Sequence, residues 1–256
     1  MKVQRTTSIR NTKLTALIYA LTGTGKTRLC GTAQDCAATS PTLLIDVGGG
    51  TTTLAGKKID LVRPHSLSEF QEIYDYLRND NDKYRSVCLD GLTGVQQELS
   101  MPEIQGLREP GEEDTYSNLA EAEPPDRRHW LKSHEHTRRI LRAFRDLAIH
   151  PQPKFRIHVI MTALEKKDDN RAIICPQLPG VLGLECGAYV DILARLQLEE
   201  HEKDEKKVLV RRLIVHQREN DEGLVILAKN RGDKLGKQVF RPTIDKIMSL
   251  WTSENK

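Results

Sequence analysis

Apolar residues along the chain fall into short uninterrupted runs, separated by turn residues and by stretches of helical period. Residues 14–19 (LTALIY) form the first run and lead into a Gly-rich turn, after which a helix is expected from Lys26 to about Ala33. Residues 42–46 (TLLID) and 86–90 (SVCLD) are two more such runs, each ending in an aspartate; Gly48, Gly49 and Gly50 follow the first. Residues 59–63 suggest another strand. Ser66 and Glu69 have capping-box spacing, and Leu67, Phe70, Ile73, Tyr74 and Leu77 then share one helical face. Helices are expected from Gly91 to about Gln105 and from Trp130 to about Leu147, followed by a strand over 155–162. A polar hairpin-like loop at 165–172 and a small helical segment near 181–190 come next. Antiparallel strands over 191–199, 208–216 and 223–229 and a helix over 243–251 complete the pattern.

Strands buried on both faces and alternating with helices predict an α/β fold, a mainly parallel sheet flanked by helices with antiparallel C-terminal strands. Ligands in such sheets sit at the carboxyl ends of the strands. The turn after Tyr19, the glycines after Asp46, Asp90 and Thr162 all fall at that edge.

Composition bounds what this fold can be. With 256 residues, 38% of them hydrophobic, the chain can bury a sizeable core; without repeats or low-complexity linkers, 1–256 is expected to be a single domain. Lys and Arg (39) exceed Asp and Glu (36) by only three, and aromatics are 5%, which argues against a general nucleic-acid coat or a many-ringed stacking platform. The near-neutrality is a cancellation of local charge. Residues 1–13 carry four cations and no acid, the irregular segment 106–128 is crowded with acids, and 127–145 holds seven cations against Glu135 alone. The cations before residue 14 imitate a signal peptide, but a Thr-Gly turn follows where a cleavage site would stand. No apolar run approaches the roughly 20 residues that cross a bilayer. Five cysteines without a C-x-x-C pattern form neither a disulfide framework nor a zinc motif, so a cytoplasmic location is expected. His134 and His136 flank Glu135 in a pattern that suits a solvated helix face better than a metal site.

The chemistry concentrates at Ala20-Leu21-Thr22-Gly23-Thr24-Gly25-Lys26-Thr27, a phosphate-loop motif with Ala in place of the first Gly. Backbone N–H groups of such a turn converge on a phosphate, and glycines allow the curvature. Residues 21–28, ending at Arg28, are the candidate nucleotide-binding set. Lys26 would reach the β and γ oxygens, and the Thr27 hydroxyl would ligate Mg²⁺. Asp90, closing an apolar strand, is the candidate acid opposite Thr27 on the metal's hydration shell.

With these residues in place, the chain resembles the phage RecA-like P-loop proteins of the Sak ATPase group, implicated in single-strand annealing and often labelled phage nucleotide-binding or AAA-type proteins. The likeness runs from about Lys13 to Trp251. It rests on 19–27, Leu44-Ile45-Asp46 with its glycines, Asp90-Gly91-Leu92-Thr93, Trp130, 142–147, 162–165, Leu178-Pro179-Gly180 and Ala228-Lys229-Asn230-Arg231-Gly232. It implies a RecA-like P-loop NTPase core that binds ATP and Mg²⁺, forms a homo-oligomeric ring or filament, and engages single-stranded DNA. A single-stranded-DNA-binding or annealing protein is a further candidate partner, and a phage-encoded member would work in the host cytoplasm. Thr162 ends the strand that such proteins use as a sensor. Lys229 and Arg231 are similar to the element by which RecA-like subunits reach a neighbour's γ-phosphate.

Two departures qualify the likeness. RecA-like ATPases carry a water-polarising glutamate just beyond the Asp46 strand; here that position is Gly48. Losing a general base costs typically 10²–10⁴-fold, so ATP is expected to bind and turn over slowly, unless Asp46 or Glu165 substitutes. Gly180-Val181 stands where relatives often carry Gly-Lys. For DNA, Lys166, Lys167 and Arg171 fall on one expected contact loop, offset by Asp168 and Asp169. Arg127, Arg128, Trp130, Lys132, Arg138, Arg139, Arg142 and Arg145 form the stronger electrostatic candidate; its plain reading is a charged helix face with Trp130, Leu141 and Phe144 in the core. Two functions compete: an ATP-binding recombination protein that assists single-strand annealing, with weak ATPase activity at most, and a nucleotide-gated oligomeric scaffold without meaningful hydrolysis. A small-molecule kinase would need an arginine-bearing lid that the C-terminal strands do not resemble.

Overall fold

The computed structural model describes residues 13–106, 124–203 and 206–253. The basic segment before Lys13 and the acidic residues 107–123 lie outside them.

From the N-terminus, β1 (Thr15–Ala20) leads through the Gly-rich turn to α1 (Lys26–Gly31), which tightens into a 3₁₀ turn. β2 (Thr42–Asp46), β3 (Asp60–Val62) and α2 (Leu67–Asp75) follow, with Ser66 Oγ accepting from the Glu69 N–H as the capping-box spacing predicts. β4 (Ser86–Asp90) runs into a continuous helical stretch made of α3 (Leu92–Gly94), a π segment and α4 (Met101–Ile104). The long α5 (Arg127–Ala148) is capped by Asp126, whose carboxylate accepts from the His129 N–H at 2.9 Å. β5 (His158–Asp168), β6 (Ile173–Pro176), α6 (Leu182–Glu185), β7 (Ile192–Lys203) and β8 (Lys206–Ile214) come next. The short strands β9 (Arg218–Glu219), β10 (Val225–Ile226), β11 (Lys229–Asn230) and β12 (Gln238–Phe240) precede α7 (Ile244–Thr252).

The sheet order is β12-β8-β7-β1-β5-β4-β2-β3. From β7 to β3 all neighbours are parallel, which leaves β1 and β4 separated by β5. β8 and β12 extend one side antiparallel. Alternation sorts side chains between two helix layers. Leu17, Tyr19, Val87 and Leu89 pack with Phe144 and Leu147 on one face; Ala16, Ile18, Leu44 and Cys88 pack with Leu29 and Met248 on the other. All five cysteines are free and buried.

Several boundaries correct the expectations. β7 is a parallel neighbour of β1, Ala16–Tyr19 beside Ile192–Arg195, and is antiparallel only to β8 and β11. The antiparallel expectation for 191–199 and 208–216 holds for β7 against β8; the parallel pairing with β1 is an addition, because hydrophobic alternation reports burial and carries no strand direction. The hairpin-like loop expected at 165–172 is a hairpin whose first half is strand: β5 continues to Asp168 and pairs antiparallel with β6, with the turn at 169–172. The strand expected over 223–229 is two short ones, β10 against β6 and β9, and β11 against β7.

Candidate nucleotide site

The phosphate loop forms because β1 stops at Ala20 and two glycines take left-handed backbone, Gly23 at φ +79° and Gly25 at φ +101°. The Leu29 N–H donating to Gly25 O at 3.0 Å opens α1 at the end of the turn. Inside it, Thr24 Oγ1 donates to Leu21 O at 2.8 Å, and Lys26 Nζ donates to Ala20 O and Leu21 O, both at 3.0 Å. Burial holds the Lys26 ammonium below its ordinary pKa, against the opposing pull of Asp90 and Glu165.

Lys26, Thr27, Asp90 and Thr162 share the wall of one cavity of about 690 Å³, together with Thr22, Gly23, Gly25, Arg28 and Gly50. Of the other loop residues expected to bind nucleotide, Leu21 is exposed and Thr24 is buried within the turn. Asp90 is oriented by Thr162, whose Oγ1 donates to Asp90 Oδ1 at 2.6 Å and accepts from the Gly91 N–H at 3.0 Å. The loop after β2 is tied to the same point by the Val47 N–H donating to Asp90 O at 3.1 Å. A Cβ at Gly50 would lie 2.7 Å from Thr27 Oγ1, so glycine there keeps the hydroxyl clear. The hydroxyl of Thr27 and the carboxylate of Asp90 are hard oxygen donors and suit a hydrated Mg²⁺.

The carboxylates considered as replacements for the base at position 48 are otherwise committed. Asp46 Oδ2 accepts from Thr51 Oγ1 at 2.9 Å and from Arg63 Nε at 3.1 Å, and its side chain is fully buried. Glu165 is held in a two-pronged pair with Arg195 at 2.8 and 2.9 Å. Neither lies on the cavity wall. Gly48 itself does, as does Glu98, whose Oε1 comes within 3.4 Å of where a Cβ on Gly94 would stand.

A residue that the sequence did not single out completes the site. Arg211, on β8, donates from Nε to Thr24 O at 2.9 Å and lines the cavity. Nothing local marks it: the contact spans 187 residues and depends on β8 pairing with β7.

Lys229 and Arg231 stand elsewhere. β11 runs antiparallel to β7 and carries them to the amino edge of the parallel strands, away from the cavity. There Lys229 Nζ donates to Gly187 O at 2.6 Å and Val190 O at 2.8 Å, and Arg231 pairs with Asp191 at 3.0 Å. Asp191 also receives the Thr15 N–H and hydroxyl at the start of β1.

The DNA candidates divide. On α5, Arg138 contacts Glu135 and Glu185, Arg139 pairs with Glu135, Arg145 with Asp146, and Arg142 lies over the Tyr189 ring. Leu141 and Phe144 are core residues, whereas Trp130 is 48% exposed beside exposed Arg127, Arg128 and Lys132. On the β5–β6 hairpin Lys167 pairs with Glu222 and Arg171 with Asp168, while Lys166 is exposed. His134 contacts Arg138 and His136 contacts Ser100.

Residues 12–231 match the model of a family described as an AAA domain. No curated protein matches the chain. Among solved structures, the RadB recombinase is similar at 13% identity and TM-score 0.42, over 84% of this chain and 91% of that one. The assembled ATPase EscN, in complex with its central stalk EscO from the enteropathogenic E. coli type III secretion system, is similar at 18% identity and TM-score 0.42, over 73% and 42%. A prototypical ATPase from the type III secretion system of pathogenic bacteria is similar at 18% identity and TM-score 0.40, over 72% and 52%.

Proposed function

The chain belongs to the AAA domain family, and on that premise we propose that its RecA-like P-loop core binds ATP with Mg²⁺, self-assembles and engages single-stranded DNA to assist annealing, with slow hydrolysis. The observation that carries the nucleotide part of this reading is the joining of Lys26, Thr27, Asp90 and Thr162 on one cavity wall, with Gly48 where a catalytic carboxylate would be expected. Lys26 supplies the charge for the β and γ oxygens, and Thr162 fixes the rotamer of Asp90. Mg²⁺, held through Thr27 and Asp90, would supply charge neutralisation at the phosphates. Water activation is the weak part, because Asp46 and Glu165 are both engaged by arginines and lie off the cavity wall, where Glu98 is the carboxylate besides Asp90.

For DNA, the exposed Arg127, Arg128, Trp130 and Lys132 at the amino end of α5 support contact better than the paired arginines further along. Among the described residues no helix is long and apolar enough to cross a membrane. The second reading, a nucleotide-gated scaffold without meaningful turnover, is favoured by Gly48.

The test measures ATP affinity with Mg²⁺ and particle size with ATP, with ADP and without nucleotide, each with and without a single-stranded oligonucleotide. Assembly that needs both ATP and DNA supports the first reading. Assembly on ATP alone, indifferent to DNA, favours the scaffold. A monomer under all conditions refutes both.

A further inference from the structure

We propose that Arg211 is a second cation of the phosphate site, delivered in cis by the β7–β8 hairpin, and that it binds the polyphosphate of a nucleoside triphosphate alongside Lys26. This rests on the nucleotide reading above and adds a ligand-binding residue from outside the phosphate loop.

The hairpin sets the position. β7 pairs with β1 only through Arg195; beyond it the two strands continue together, and Arg211 lies opposite Leu198 on that extension. Its side chain returns over the phosphate loop. A Cβ on Gly25 would stand 2.5 Å from Arg211 Nε, 3.0 Å from Nη2 and 3.1 Å from Cζ, so the guanidinium lies against the loop at its tightest glycine. Arg211 also borders a second cavity of about 400 Å³ between α1 and β8, which shares Gly25 and Arg28 with the first.

The contacts of its neighbours set Arg211 apart. On the opposite face of the hairpin, Arg195 pairs with Glu165, and Arg212 pairs with Glu199 and covers the Phe240 ring. Among the described residues Arg211 has no carboxylate within ion-pair distance, and its bond goes to a loop carbonyl, Thr24 O. Lys26 behaves alike, donating to Ala20 O and Leu21 O. Both cations therefore rest on weak neutral acceptors beside a cavity lined by phosphate-loop residues. A phosphate oxygen offers each a charge-assisted bond, and the planar guanidinium can take two at once.

The backbone at Arg211 is also held at some cost. Arg211 O accepts from the Arg241 N–H at 2.8 Å, and Arg241 sits at φ +45°, left-handed backbone that a side chain disfavours. The strained turn fixes the strand that carries Arg211 over the loop.

The experiment measures affinity of the full chain for ATP, ADP and inorganic tripolyphosphate, with a thermal melt of each unliganded variant. Arg211→Ala should bind ATP and tripolyphosphate roughly 10- to 100-fold more weakly, as expected for loss of a charge-assisted hydrogen bond, with a smaller loss for ADP and an unchanged melt. Arg211→Lys, which keeps the charge without the fork, should recover part of the loss. A mixture of Lys26→Ala and Arg211→Ala chains should show no recovery, because a cis residue cannot be lent to a neighbour. Wild-type affinity in Arg211→Ala, or an equal loss for ATP and ADP, overturns the proposal. So does recovery in the mixture. Should Arg211→Ala fail to fold, wild-type discrimination between ATP and ADP in Arg211→Lys overturns it instead. Failure of the wild type to bind ATP or tripolyphosphate would sink the nucleotide reading itself, a separate result.

Discussion

Gly48→Glu tests the argument for slow turnover directly. The substitution is sterically open: a Cβ at Gly48 meets nothing within 4 Å, and the residue lies on the cavity wall. The new side chain would start beside Asp90, because the Val47 N–H is bonded to Asp90 O and a Cβ on Gly91 would come within 3.1 Å of Gly48 N. Two effects oppose each other. Restoring a general base is worth typically 10²–10⁴-fold, or about 3–5 kcal/mol of barrier at 1.36 kcal/mol per decade. A second carboxylate near Asp90 costs on the order of 1–4 kcal/mol in repulsion, which Lys26, Arg211 and the proposed Mg²⁺ would offset. The base should win, and turnover should rise by about 100-fold or more. The assay is single-turnover phosphate release with protein in excess over ATP, with ATP affinity measured in parallel. Gly48→Gln, of the same size and without a base, should leave the rate unchanged. Equal rates for the Glu and Gln variants at wild-type ATP affinity would refute the reasoning, as would a wild type that already turns over at the rate of a glutamate-bearing RecA-like enzyme.

Three further outcomes are expected. Thr162→Val leaves Asp90 Oδ1 and the Gly91 N–H without their partner, which should cost about 1–3 kcal/mol in denaturant unfolding and weaken Mg²⁺-dependent ATP binding; an unchanged metal dependence would show that Thr162 does not orient Asp90. Arg195→Met strands Glu165, 7% exposed in its pair, and should destabilise by about 3–5 kcal/mol, whereas Glu165→Leu combined with Arg195→Met should restore most of that loss; a double variant no better than the single would count against the pair. His158, buried and accepting the Leu14 N–H at 3.0 Å, has its pKa pushed down to about 4, first by burial and then by Lys13. The unfolded chain then binds the extra proton first, so this contribution is present above the ordinary histidine pKa of about 6.5 and is lost as pH falls toward 4. Thermal melts from pH 7 to 4 should show that decline, and His158→Gln should flatten it.

What could be read from the sequence follows from how local each signal is. The phosphate loop is eight consecutive residues with a strand before and a helix after, and Asp90 closes a buried strand of five; both are set by short-range chemistry and stand where the pattern puts them. Strand direction is a property of pairing, so β7 was recognisable as a strand but not as the parallel neighbour of β1. The hairpin at 165–172 is legible as a polar turn, but the continuation of β5 to Asp168 is not, because Lys166 and Lys167 are exposed polar residues where burial leaves no alternation to detect. Arg211 and Arg212 are adjacent and identical, and nothing in the sequence distinguishes them. Only the fold separates them, sending Arg212 to Glu199 and Arg211 to the phosphate loop.

The positions of the cations also constrain how the proposed oligomer can use them. β1 alone, six residues long, spans roughly 20 Å at about 3.3 Å per residue, and Lys229 and Arg231 sit beyond its far end, near Asp191. An arginine side chain reaches well short of that distance, so neither residue can serve its own phosphate loop. The two also differ in how readily they could move. Arg231 is 60% exposed, and its pair with Asp191 is of the kind worth little in water. Lys229 is bonded to two carbonyls, and burial lowers its pKa; releasing it would leave Gly187 O and Val190 O without that donor. Of the pair, Arg231 is therefore the one free enough to meet a neighbour's phosphates, while Lys229 braces the turn after α6 against β11. An assembled site would draw Lys26 and Arg211 from one subunit and Arg231 from the next.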